Sequence, residues 1–222
     1  MKNYNLIILA SVTFILASSS CKKADYLTDE GLHDAKSSLS TYEYLRQHSW
    51  HSFDTLITII DHYNMKDEIN SAGTFFASTN ATVKRYMDLR LAQKKLTNDS
   101  AKYSLDSLYK DISADSLRQY LFKEKITLSN APNIQPAPYT SLGKTSSAVF
   151  KQLQSTSTYT QYTTGQTYLL YLVKVRGQLD VPGITPPANE IDINVQCQTT
   201  GIEPATGGIL HVLTNQHVFV RF

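Results

Sequence analysis

The stretch that most narrows the fold is residues 73–83, Gly-Thr-Phe-Phe-Ala-Ser-Thr-Asn-Ala-Thr-Val. Thr74–Ala77 is a short apolar, aromatic run of the kind that suits a fully buried strand. Thr79-Asn80 then offers a side-chain oxygen to cap a helix, and residues 81–91 supply apolar positions at helical spacing. The pattern predicts a buried strand that hands over, through a capped turn, to a helix. Before this stretch the chain reads helical, and after its helices it reads mostly β. Residues 73–83 therefore join two compositional halves.

In the first half, Ser40-x-x-Glu43 has capping-box spacing and opens a helix over 41–47. Phe53, Leu56, Ile57 and Ile60 recur at i, i+3, i+4 and i+7, the stripe of an amphipathic helix. Residues 65–69 read as a further turn. Leu105, Leu108, Ile112, Leu117 and Leu121 continue the helical content, with Asp115-Ser116 as a cap for a segment ending near Phe122.

In the second half, residues 125–128 read as a brief strand, and Pro132, Pro136 and Pro138 interrupt regular structure. Residues 139–167 are rich in Ser and Thr and read as a loop-rich hairpin region with a strand over 148–153. Binding residues concentrate on loops, so Tyr139, Tyr159 and Tyr162 are the candidate contact residues; a solvated polar insertion is the plainer alternative. Residues 168–175 form a near-continuous apolar run, as in a central strand covered on both faces. Ile191, Ile193, Val195 and Cys197 alternate with polar residues, which places Cys197 on a buried face as an inert thiol.

A chain of 222 residues holds one good-sized domain or two small ones. Its 41% hydrophobic and 18% charged content is that of a globular protein. The net charge of +2 offers no basic stripe, so no nucleic-acid partner is expected. Tyrosine is frequent, at 14 residues, while Trp50 stands alone. Tyrosine suits half-buried β surfaces and ligand-contacting surfaces alike.

Location is read from the start. Lys2, an apolar run over 6–17 and the small residues Ser18-Ser19-Ser20 before Cys21 make a secretory signal over 1–20. The run is shorter than a membrane span, which needs about 20 residues. A cysteine directly after small residues resembles the bacterial lipobox, with Ser18 where leucine is usual. That resemblance implies lipid attachment at Cys21; an ordinary signal peptide with an incidental cysteine is the alternative. With Cys21 lipidated, Cys197 is the remaining thiol and no intramolecular disulfide forms. Lys22-Lys23 is no aspartate-type inner-membrane retention signal, so the expected location is the outer membrane, periplasmic or cell-surface face. Residues 21–39 read as a polar tether that reaches at most about 60 Å from the bilayer.

The order Phe53-Asp54-Thr55-Leu56-Ile57, then Thr74-Phe75-Phe76-Ala77-Ser78-Thr79-Asn80-Ala81, then a helix over 117–122, resembles the fasciclin domain family. That family carries a Thr-x-Phe-Ala-Pro-Thr-Asn-x-Ala box after a Phe-x-x-Leu helix. Gly207-Gly208-Ile209-Leu210-His211-Val212-Leu213, followed by His217-Val218-Phe219-Val220, resembles its second box and closing strand. Two positions depart: Ser78 replaces the box proline, and Leu121 follows Tyr120 where the family often has a Tyr-His pair tied to adhesion. The resemblance implies an α+β, fasciclin-like fold over 40–222, with helices packed on a mixed β-sandwich or wedge. It also implies adhesion or extracellular binding by a lipid-anchored domain, with a protein or glycan ligand at the cell surface. The alternative function is that of an accessory glycan-binding lipoprotein beside an outer-membrane nutrient-uptake system.

No catalytic motif appears: there is no Gly-x-Ser-x-Gly, no phosphate loop and no paired cysteines. His48-x-x-His51, with Asp54 one turn on, has helical ligand spacing but no placed third ligand. The chain is expected to be no enzyme and to hold no metal or cofactor. Asp54-Thr55, Asp99-Ser100, Asp106-Ser107 and Asp115-Ser116, each followed by an aliphatic residue, resemble the O-glycan acceptor sequence of Bacteroidetes-type exported proteins. That makes Thr55, Ser100, Ser107 and Ser116 candidate O-glycosylation sites, with helix capping as the local alternative.

Overall fold

A computed structural model describes residues 35–155 and 165–220. Ser40 caps helix α1 (Thr41–Arg46), its hydroxyl accepting the Glu43 amide at 3.2 Å. Glu43 does not reach back to complete the box; its carboxylate turns to Arg46, Gln47 and Lys66 instead. Helix α2 (Asp54–His62) buries Leu56, Ile57, Ile59 and Ile60 as its stripe requires. The short α3 (Lys66–Ser71) leads into strand β1 (Thr74–Ala77), which is buried at every position. Helix α4 (Asn80–Lys95) follows directly and runs four residues beyond the expected end.

Two short helices come next, α5 (Leu105–Asp111) and α6 (Ala114–Arg118). The expected helix over 117–122 stops early. Leu121 and Phe122 leave it as strand β2, antiparallel to Thr74 and Phe75 of β1, because both side chains reach zero exposure only in the core. The expected strand over 125–128 does not form either. Side chains pin that stretch as coil: the Ile126 amide donates to the Thr74 hydroxyl at 2.8 Å, and the Ile126 carbonyl accepts from His211.

The remaining strands are β3 (Ala137–Thr140), β4 (Ser146–Gln154), β5 (Thr167–Lys174), β6 (Ile193–Ile202) and β7 (Ile209–Leu213). They complete a seven-stranded sheet in the order β2-β1-β7-β6-β5-β4-β3. β1 and β7 run parallel, with Thr74 opposite Ile209 and Phe76 opposite His211; the other pairs are antiparallel. The two boxes are therefore neighbouring central strands. Pro138, expected to break structure, sits in β3 at the sheet edge, where a missing amide costs no ladder bond.

Strand β6 turns the corner of the sheet. Its first half pairs with β5 and its second half with β7, and the register shifts between Cys197 and Thr199 and again between Thr199 and Ile202. Bulges of this kind bend a strand and re-aim its side chains. At the far end, the turn after β3 meets β2: the Leu142 amide donates to the Leu121 carbonyl at 2.7 Å, and Phe122 and Tyr139 meet edge to face. The sheet is thus nearly closed around Phe75, Phe76, Phe122 and Leu210, with the helices covering β1 and its neighbours.

Three further expectations change. β5 is central, yet only Leu170, Leu172 and Val173 are buried; Phe150 and Tyr171 stack on its outer face at 4.9 Å. Residues 217–220 form turns rather than a closing strand. Residues 35–39, read as part of the tether, dock on the domain through hydrogen bonds from Ser37 to Glu203, Glu203 to Ala35 and Ala205 to Leu39.

Candidate functional site

Of the contact residues expected from sequence, Tyr159 and Tyr162 lie outside the described residues, as does Cys21. Tyr139 is not on a free loop. It stands on β3, half-buried against the core, with its ring edge-on to Phe122. The four candidate modification positions separate. Ser107 completes a reciprocal capping box with Ser104, and the Ser116 hydroxyl accepts the Ser113 amide at 3.1 Å, both local capping roles. Thr55 is half-buried in the first turn of α2, and Ser100 lies exposed on the turn after α4.

His48 and His51 do not converge. His51 pairs with Asp54 at 3.3 Å on the surface, while His48 sits among aromatic rings. Among the described residues no group of three or more His, Cys, Asp or Glu side chains is arranged to hold a metal. Cys197 is buried, and burial pushes its thiol pKa far up, as an inert structural thiol requires.

Two histidines are internal. His211 is fully buried and stacked on Phe76 at 4.9 Å. Its Nε2 lies 2.8 Å from the Ile126 carbonyl, and its Nδ1 accepts the Gly201 amide at 3.2 Å. A carbonyl can only accept and an amide N–H can only donate, so the ring is neutral with its proton on Nε2. Burial lowers its pKa to about 4. His217 is likewise lowered to about 4 by burial, with Nε2 2.7 Å from the Tyr120 hydroxyl. That hydroxyl accepts the Val220 amide at 2.9 Å, and burial drives its pKa well up. Both histidines act as hydrogen-bonding core residues.

One accessible feature that combines several aromatic rings with polar groups is a cleft of about 380 Å³ between the α1–α2 loop and the bulged part of β6. One wall is aromatic. His48 meets Tyr44, Trp50 and Phe53 edge-on, at centroid distances of 6.4, 6.1 and 5.1 Å. Trp50 is 84% exposed, an unusual position for the largest apolar side chain. The other side joins the polar Gln198 and Thr199 at the bulge and Asn215 after β7 to the apolar Ile202 and Val212.

Asn80 holds the aromatic loop in place. Its Oδ1 accepts the Thr55 amide at 2.8 Å, its Nδ2 donates to the His51 carbonyl at 2.7 Å, and its own amide donates to the Ser52 carbonyl at 2.8 Å. Helix α2 has no side-chain cap of its own at Phe53, so Asn80 supplies it. The capping oxygen expected from Thr79-Asn80 is real, but it serves a different helix. Thr79 meanwhile donates to Asn215 Oδ1 at 2.7 Å, tying the same box to the other side of the cleft. His51 adopts φ of 51°, a left-handed conformation that a non-glycine residue holds only when its surroundings enforce it.

Replacing Asn80 with alanine is expected to cost about 1–2 kcal/mol, since it leaves the Thr55 amide and the His51 carbonyl unpaired. It would also release the Trp50 loop. Urea unfolding followed by circular dichroism reads the first effect, and Trp50 fluorescence anisotropy reads the second. Asn80→Asp, which keeps the acceptor for Thr55 but not the donor to His51, should fall between.

Sequence reasoning passed over this cleft. Trp50 stood out as the sole tryptophan, and its place in a short polar link between two amphipathic helices was the signal available. No protein-family profile matches the chain, and no curated protein matches it either.

Proposed function

We propose that this chain is a lipid-anchored, fasciclin-like domain of the cell envelope that mediates adhesion or extracellular binding without catalysis. The observation that carries the binding role is the Trp50 cleft, an exposed indole on a loop fastened by the box residue Asn80. Tryptophan is among the residue types enriched where contact surfaces carry most of their binding energy. Preorganising the loop lowers the ordering entropy that a ligand must offset.

Support for a fasciclin-like arrangement comes from the two boxes pairing in register as β1 and β7, although no helix extends to Phe122. Lipid attachment at Cys21 and an outer-membrane location rest on the sequence alone. Among the described residues no helix is long and apolar enough to cross a membrane.

Attachment assays test the binding role. Cells expressing the full chain should adhere to neighbouring cells or to their natural surface, and Trp50→Ala should reduce that adhesion at equal surface abundance. Unchanged attachment after deletion of residues 34–222 would overturn the reading. Radiolabelled palmitate incorporation that disappears in Cys21→Ala tests the anchor.

A further inference from the structure

We infer that the Trp50 cleft is a saccharide-binding site that takes a neutral sugar unit stacked on the indole; this deepens the binding role proposed above and rests on it. Three features point to that ligand class.

The first is the platform. Trp50 is 84% exposed, and its ring contact with His48 is edge-on at an interplanar angle of 81°, so among the described residues no stacked ring covers the indole face. A pyranose presents a face of C–H groups that packs on such a ring, while its hydroxyls point sideways. The Asn80 clamp and the hydrogen bond from the His51 amide to the His48 carbonyl, at 2.9 Å, hold the platform before any ligand arrives.

The second is charge. The lining contains no Lys, Arg, Asp or Glu. Other clefts of the domain do carry such groups, including Lys36, Lys125 and Glu203 near the start of the domain and Glu124 beside Tyr139. An anionic or cationic ligand would find no lysine, arginine, aspartate or glutamate in this lining. A neutral polyol needs none.

The third is the set of polar groups that face the cleft beside Ile202 and Val212. Gln198 and Thr199 are exposed, and their side chains make no hydrogen bond within the described residues. Asn215 spends its Oδ1 on Thr79, which leaves its Nδ2 to donate outward. The bulge between Cys197 and Thr199 interrupts the alternation of β6 where two consecutive polar residues reach the cleft. An amide pair and a hydroxyl supply both donors and acceptors, as ring hydroxyls require. The volume of about 380 Å³ falls within the range of small-molecule sites.

Because Trp50 is the sole tryptophan, its fluorescence reports on this cleft alone. Titration with a panel of neutral hexasaccharides (β-1,3- and β-1,4-glucan, mannan and xylan types) should give a saturable spectral shift with at least one member. Sodium chloride should leave that affinity unchanged, because no ion pair forms. Calorimetry on the responding sugar should show binding at least about tenfold weaker in Trp50→Ala, with Gln198→Ala and Asn215→Ala weakened by a smaller factor. These side chains are exposed, so the variants should fold; circular dichroism checks that. A flat response across the panel, or affinity retained in Trp50→Ala, overturns the assignment. If Trp50→Ala abolishes cell attachment while every sugar is silent, the saccharide class fails and the binding role stands. If neither responds, both fail.

Discussion

Lowering the pH from 7 towards 4 should destabilise the domain strongly, through His211 and His217. Both pKa values fall from the ordinary 6.5 to about 4 on folding, because burial disfavours the charged ring. The folded state therefore refuses a proton that the unfolded state accepts. Stability is complete above 6.5, is lost as the pH falls from 6.5 towards 4, and changes no further from these groups below that. Each histidine contributes about 3 kcal/mol across the window, a sizeable share of the stability of a typical domain. His211 has a geometric reason as well, since a proton on Nδ1 would face the Gly201 amide donor. Urea midpoints measured at several pH values should shift steadily, with about two protons taken up on unfolding near pH 5. His217→Phe should lower stability at neutral pH, where it costs Tyr120 a partner, and should roughly halve the pH slope. A slope unchanged in that variant would assign the acid sensitivity to other groups.

Gly73→Ala should be comparably damaging. A Cβ at Gly73 would lie 2.0 Å from the Lys123 carbonyl oxygen and 2.9 Å from the Glu124 carbonyl carbon, both backbone atoms that cannot swing aside. Strand β1 and the segment after β2 would have to separate, breaking the contacts that bring Thr74 to Ile126. The expected loss is about 3 kcal/mol, at the upper end for overpacking, because backbone rather than side chain must yield. Gly165→Ala is the control, since among the described residues nothing lies within 4 Å of its added Cβ. Thermal unfolding of the pair should show a large fall for the first and almost none for the second. Equal, small effects would mean that the β1–β2 approach relaxes cheaply.

The legible parts of this fold were those governed by neighbouring residues. Thr74–Ala77 forms a strand buried at every position, and the stripe of Phe53, Leu56, Ile57 and Ile60 forms a helix, because each packs one continuous apolar surface. Ser40 caps α1 across three residues. Cys197 lies on the inward face that the period of β6 assigns to it. Errors arose where burial overrode local pattern. Leu121 and Phe122 carry a helical spacing but become a strand, because β1 offers an open edge and a zero-exposure site. Residues 125–128 look like a strand, yet the Thr74 hydroxyl and His211 take their backbone groups instead.

The Trp50 cleft was hidden for the same reason. Its walls come from the α1–α2 region, from Thr79, from the bulged part of β6 and from β7 with Asn215 after it, which only the folded chain assembles. A reading of loop composition led instead to Tyr139, whose half-buried ring supports the core against Phe122.

Residues 73–83 mark the division. Their own composition determined a buried strand, a turn and a helix, since propensity and capping act over three or four residues. Tertiary structure alone decided that Asn80 caps α2 across 25 residues rather than its own helix, and that Thr79 reaches Asn215 across 136. It also decided that Trp50 stands in solvent. A side-chain amide binds whichever backbone group the packed chain brings within 3 Å, and sequence distance has no bearing on which one that is.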